Sequence, residues 1–131
     1  MRKLSPFIPA ILFYLLVFLL SSQDYGIDLP GRGLDKAAHL IEFAILGFFL
    51  SLGFFRAFSL PLRSKAVLVV ATGFALAVLD ELHQHFVPRR SSDLVDALVD
   101  TAGIIAGVLV YLWFVERKKR ARKGSGLKEF S

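Results

Sequence analysis

Residues 66–115 read AVLVVATGFALAVLDELHQHFVPRRSSDLVDALVDTAGIIAGVLVYLWFV. Two apolar runs flank a stretch from Leu79 to Asp96, LDELHQHFVPRRSSDLVD, that gathers acids, arginines and histidines. Two more apolar runs precede them, from about Leu4 to Ser22 and from Ala37 to Phe55. Each approaches the roughly 20 residues that cross ~30 Å of hydrocarbon at 1.5 Å per residue. In lipid a helix satisfies its own backbone groups, whereas an open sheet edge leaves them unpaired. The pattern predicts an all-α fold, a four-helix transmembrane bundle with helices at about 4–22, 37–55, 66–84 and 94–115.

Composition agrees. A chain of 131 residues has room for one domain, and 55% of it is hydrophobic. Its mean hydropathy of +0.59 exceeds what a soluble domain of this size needs. Thirteen phenylalanines are more than a soluble fold of this length buries, but lipid accepts them on any helix face. There is no cysteine, which excludes disulfides, thiolate metal sites and a cysteine nucleophile. The formal charge of +5 does not point to nucleic acid, because seven of the sixteen Lys and Arg follow Trp113 in ERKKRARKGSGLK. Beside an apolar helix, that cluster reads as a basic membrane-surface tail over 117–131, expected to be disordered. Residues 1–116 form the transmembrane domain.

Charge also orients the chain. Arg2, Lys3, Arg56, Arg63, Lys65 and the basic tail fall on one side, and only Arg32, Lys36, Arg89 and Arg90 on the other. By the positive-inside rule both termini are cytoplasmic, and the charged stretch after Leu79 faces outward from an inner (cytoplasmic) membrane. The opening MRK and the apolar run behind it resemble a signal peptide, but LLSSQ lacks a small-x-small cleavage site, so an uncleaved helix is expected.

Depth then separates the charges. The third run has fourteen residues between Lys65 and Asp80, about 21 Å of helix, so Asp80 and Glu81 lie at or inside the boundary. A similar count puts His39 and Glu42 one to two turns deep, and Asp100 about 6 Å inward from Asp96. In helical phase, Asp35, His39, Glu42 and Leu46 form one stripe, while Asp93, Asp96, Asp100, Gly103 and Gly107 form another. On the third helix, Asp80, His83 and Gln84 share a face, with Glu81 and His85 on a face about 100° away. An acidic stripe running into a G-x-x-x-G step should face protein, because a charge facing lipid costs about 2.5 to 3.5 kcal/mol. The expected site is one outward-facing polar pocket, lined by Asp35, Lys36, His39, Glu42, Asp80, Glu81, Gln84, Arg90, Asp96 and Asp100.

Each motif has a plainer reading beside its functional one. Asp35 suits a helix start, where the macrodipole favours an anion; Glu42 has no such role. Lys36, Arg89, Arg90 and Ser92 suit an anion such as a phosphate headgroup, while Arg89 alone also reads as interfacial snorkelling. DELHQH offers carboxylates and imidazoles, but His83 and His85 point to different sides of a helix, unlike the pair in H-E-x-x-H. No cofactor is therefore expected, and a metal at Asp80, Glu81, His83 and His85 is the subordinate reading. Asp80 with Glu42 or Asp96 suits a proton-sharing acid/base pair, or simply hydrogen bonding between helices. Ser21, Ser22 and Ser59 show no partner pattern.

With DKxxH before the second helix, and DExxQxFxPxR followed by SxxD leading into the fourth, the chain resembles the VanZ-like family of small membrane proteins. The matching residues are Asp35, Lys36, His39 and Phe43, then Asp80, Glu81, Gln84, Phe86, Pro88, Arg90, Ser91 or Ser92, Asp96 and Gly103. They span more than half of the chain. The family usually carries Asn four residues after the last motif Asp; here that residue is Asp100. The resemblance implies a multi-pass membrane protein of the cell envelope, and a theme of antibiotic resistance through the glycopeptide teicoplanin, without an established reaction.

Three readings follow. The leading one is an outward pocket that recognises an anionic lipid-linked or cell-envelope component. The others are a membrane enzyme acting on a lipid headgroup through a carboxylate or metal site, and a structural or assembly subunit with a polar interhelical network. Membrane lipids are the expected partners, with a lipid-linked precursor and a second copy of the chain packed through Gly103 and Gly107; nucleic acid is not.

Overall fold

The computed structural model describes residues 4–22, 32–88 and 94–126, with the side chains of 32–35, 125 and 126 left outside the description. A short 3-10 turn, Ser5–Phe7, leads into α1, Ile8–Ser21; α2 is Arg32–Ala57, α3 Leu62–His85 and α4 Leu94–Gly126. Among the described residues there are no strands, and the fold is all-α. Three helices are long and apolar enough to cross a membrane, at Lys36–Ala57, Leu62–His85 and Leu94–Gly124. The first apolar run is shorter, with helix confined to Ser5–Ser21.

Two helices begin earlier than the apolar runs suggest. Arg32 and Leu62 are helical although the expected starts are 37 and 66. Pro61, extended at φ −55° and ψ 151°, sets the α3 start, since its ring fits the residue before a helix and cannot fit the interior. At the far end, α4 continues to Gly126 through the basic segment expected to be disordered. Glu116 and Arg120 pair one turn apart at 3.0 Å, Arg117 lies 4.8 Å from the Trp113 ring centre, and Gly appears only at 124 and 126.

The bundle is organised around glycine. α2 packs most extensively on α4, and the contact is backbone against backbone. A Cβ at Gly103 would stand 2.5 Å from the Leu40 carbonyl oxygen, one at Gly107 would meet the Ala44 carbonyl, and one at Gly47 would stand 2.5 Å from the Ile104 carbonyl. α3 joins through Gly73, whose missing side chain leaves room for Ile104. Thus Ile104 sits between Gly47 and Gly73, beside the buried Phe43, Leu46, Val69 and Ala77. The Gly103 and Gly107 face lies directly against α2 of the same chain, because only glycine allows this close crossing.

Outside this core, apolar side chains point away from protein. Leu12, Leu15, Leu98, Leu109, Trp113 and Phe114 are each more than half exposed. A soluble protein would cover so broad an apolar surface; lipid does not require it. The two ends of the bundle differ sharply. One holds Lys36, His39, Asp80, Glu81, Asp96 and Asp100 together, and the other holds clustered aromatics, with Phe7 edge-on to Phe54 and Phe58 and Lys65 over Phe55.

Candidate functional site

The polar end is built from four helices. α3 contributes Asp80, fully buried, and both of its oxygens accept hydrogen bonds. Ser21, at the end of α1, donates to Oδ1 at 2.6 Å, and Gln84, one turn along α3, donates to Oδ2 at 2.8 Å. Gln84 Nε2 also reaches Ser21 Oγ at 3.4 Å, so the three side chains form a closed set. From α4 comes Asp100, also fully buried, whose Oδ1 stands 3.2 Å from His39 Nδ1 of α2. At the rim, Lys36 Nζ lies 3.3 Å from Asp96 Oδ1, an ion pair whose alignment falls short of a hydrogen bond. Their side chains are 38% and 19% exposed, so this pair meets solvent or headgroups while the pairs beneath it do not.

Glu81 stands apart. Its residue is only 8% exposed, yet neither carboxylate oxygen has a hydrogen-bond partner among the described residues. It lies within electrostatic reach of Asp96, Asp100, His39 and Asp80, which places it in the same centre. Asp100 Oδ2 is likewise buried without a partner. Buried polar groups are nearly always satisfied, so these three oxygens mark a place where pairing among the described residues is incomplete.

The structure thus gathers Lys36, His39, Asp80, Glu81, Gln84, Asp96 and Asp100 of the expected pocket. Glu42 is partly buried and engaged in an interaction of its own. Arg89, Arg90 and Ser92, expected to bind an anion, lie outside the described residues, as does the side chain of Asp35. The set Asp80, Glu81, His83 and His85 does not gather around one point. His83 Nε2 lies 2.8 Å from Ser22 Oγ and its ring packs at a tilt against Phe18, while His85 is exposed beside Phe86, because near-adjacent helix positions diverge. Asp80 meets partners from other helices instead. One ligand atom each of His39, Asp80 and Asp100 lie within 4.8 Å of one another, and all three residues are buried.

Ser21 and Ser22 are the residues that the sequence reading missed. Nothing in their spacing signals that the end of α1 would supply a donor to Asp80 and a contact to His83; only the packing of α1 on α3 does. Tyr14 fastens the same two helices lower down, donating to the Leu76 carbonyl at 3.2 Å.

A comparison of the sequence with protein families settles where this architecture belongs. The VanZ/LLP1 family model matches residues 1–115. The chain belongs to the VanZ/LLP1 family. The match spans all four helices up to the basic extension of α4, so the chain is a membrane protein of the VanZ-like kind. No curated protein and no solved structure matches the chain. VanZ/LLP1 membership therefore names the architecture, and the chemistry of the polar end has to be argued from its own residues.

Proposed function

We propose that this VanZ/LLP1 protein is a multi-pass protein of a bacterial-type inner membrane, whose polar centre opens to the outer side. There it binds the polar headgroup of a lipid-linked or cell-envelope component. One observation carries the reading: four helices bring their polar residues to one end of the bundle, while the basic residues Arg56, Lys65 and Arg117 belong to the other. The positive-inside rule then directs the polar end outward. Lys36 at the rim, with Arg89 and Arg90 of the adjoining segment, supplies cations for an anionic headgroup, and the buried residues shape the floor. A link to glycopeptide tolerance, implied by the family resemblance, belongs to the same proposal.

The test uses cells that depend on this chain for teicoplanin tolerance or envelope integrity. Lys36→Ala, Arg90→Ala and Glu42→Gln variants that insert normally are expected to lose the phenotype. Full phenotype in all three, at wild-type protein levels, overturns the headgroup reading. A second reading, a membrane enzyme acting on a lipid headgroup, draws on the buried His39 and Asp100 pair beside Glu81, whose carboxylate has no hydrogen-bond partner among the described residues, an arrangement suited to general acid/base work. Phosphate release or headgroup exchange by the wild type in lipid nanodiscs, abolished in Glu81→Gln, would establish it; absence of turnover returns the centre to binding.

A further inference from the structure

We infer that the polar end is a divalent-cation site, with His39, Asp80 and Asp100 as protein ligands and Glu81 as a carboxylate beside the ion. This rests on the headgroup reading and deepens it, because it supplies the positive charge through which an anionic headgroup approaches an acidic centre. The described part of that centre holds the carboxylates of Asp80, Glu81, Asp96 and Asp100 against only Lys36 and His39. Lys36 is committed at the rim to Asp96. A phosphate that passes below the rim meets repulsion from these carboxylates; an ion bound there reverses the sign and bridges the two.

The geometry is specific about where. Three helices each bring one ligand, and the donor atoms of His39, Asp80 and Asp100 lie within 4.8 Å of one another. Ligand atoms around a tetrahedral ion with bonds of ~2.0–2.2 Å stand about 3.3–3.6 Å apart, so closing on an ion needs side-chain movements of about 1 Å or less. The surroundings are those of a ligand shell. Ser21 and Gln84 donate to Asp80 and orient its carboxyl, and His39 Nδ1 touches Asp100 Oδ1.

The independent observation is what remains unpaired. Asp100 Oδ2 and both oxygens of Glu81 are buried and have no hydrogen-bond partner among the described residues. Glu81 acts electrostatically on the same His39, Asp80 and Asp100. Three acceptor atoms without donors, around a triad of ligand type, are what an ion satisfies. One imidazole with carboxylates suits zinc or manganese; calcium takes six to eight oxygens, and a chain without cysteine offers no thiolate for copper(I).

The test uses the full chain, purified in detergent without chelator and then titrated with Zn2+ or Mn2+ alone after chelator treatment. One ion per chain is expected, with micromolar or tighter affinity and a rise in thermal midpoint on loading. Asp100→Asn, Asp80→Asn and His39→Gln should each weaken binding at least tenfold, while Glu116→Gln, on the exposed helical extension, leaves it unchanged. Wild-type chain that binds neither ion up to 1 mM, or that binds equally well after all three substitutions, overturns the proposal. If a variant fails to fold, the wild-type stoichiometry still decides. The headgroup reading is read separately, from binding of a phosphate-headed lipid in nanodiscs with the ion present or chelated. Ion binding without lipid binding removes only that reading, and lipid binding indifferent to the ion, in a chain that binds none, removes only this one.

Discussion

Replacing Gly103 by alanine adds one methyl group to α4 and tests how α2 and α4 cross. The new Cβ would stand 2.5 Å from the Leu40 carbonyl oxygen and 3.1 Å from the Ala44 nitrogen, whereas ordinary contact begins at 3.4 Å. Both neighbours are backbone, so the helices must separate locally by about 0.9 Å. A gap of ~0.5–1 Å forfeits a quarter to a half of each dispersion contact around it, and overpacking against backbone, which cannot rotate away, falls in the upper part of the usual range, at about 2–3 kcal/mol. Alanine returns ~0.8–1.0 kcal/mol of helix propensity, which leaves a net loss of about 1–2 kcal/mol. At 1.4 kcal/mol per factor of ten, that is roughly a five- to thirtyfold fall in the folded-to-unfolded ratio. The control is Gly124→Ala in the same helix, where a Cβ meets nothing within 4 Å; there only the propensity term acts, and the change is neutral to stabilising. Denaturant titration of the purified chain in micelles, followed by circular dichroism, reads both. Gly103→Ala at or above wild-type stability would refute the close backbone crossing, and with it the register that brings Asp100 to His39 one turn away.

Removing the His39 side chain leaves Asp100 buried without its partner, so His39→Ala should destabilise by about 1–3 kcal/mol in the same titration, more than an exposed alanine substitution does. Ser21→Ala removes a 2.6 Å donor to Asp80 and should cost about 0.5–1.5 kcal/mol; an unchanged midpoint would show that α1 does not close on α3 at this end. Arg120→Ala breaks a pair whose side chains are 79% and 66% exposed, and should shift stability by less than about 0.5 kcal/mol. Topology is read from single cysteines placed in a chain that has none. Phe86→Cys, at the exposed polar end, should react with a membrane-impermeant maleimide on intact cells, and Ser59→Cys only after lysis; the reverse pattern inverts the orientation.

The fold was legible because lipid imposes one rule on every residue of a span, and a run of apolar side chains records that rule directly. The stripe from Asp96 through Asp100 to Gly103 and Gly107 was legible for a related reason: helical phase puts them on one face, and α2 lies against that face. What phase alone leaves undetermined is how far each helix turns about its axis. Asp80 and Gln84 share a face with His83, yet packing carries the two former inward and His83 toward Ser22 and Phe18. The contributions of Ser21 and the grouping of His39 with Asp80 and Asp100 are distances between helices, and spacing along one helix holds no record of them. The extension of α4 was hidden by its charge, because a basic run reads as solvated whether or not it is helical.

Why should a bundle held by glycine contacts also carry buried carboxylates? The α2 and α4 crossing is complete at Gly47, Gly103 and Gly107 without them. Replacing buried ionic groups by apolar ones of similar volume is often neutral or stabilising, so association alone gives no reason to place Asp80, Glu81 and Asp100 there. A polar network that serves only to join helices is stable when every member is satisfied, since a half-satisfied network is worse than an apolar core. Asp80 meets that condition through Ser21 and Gln84, but Glu81 and Asp100 Oδ2 do not among the described residues. Their cost is reduced by position, near the end of the bundle and beneath a partly exposed Lys36 and Asp96 pair, and is left uncompensated by donors among the described residues. If the proposed ion is its occupant, a centre arranged in this way is completed from the polar end, by positive charge placed beside Glu81 and Asp100.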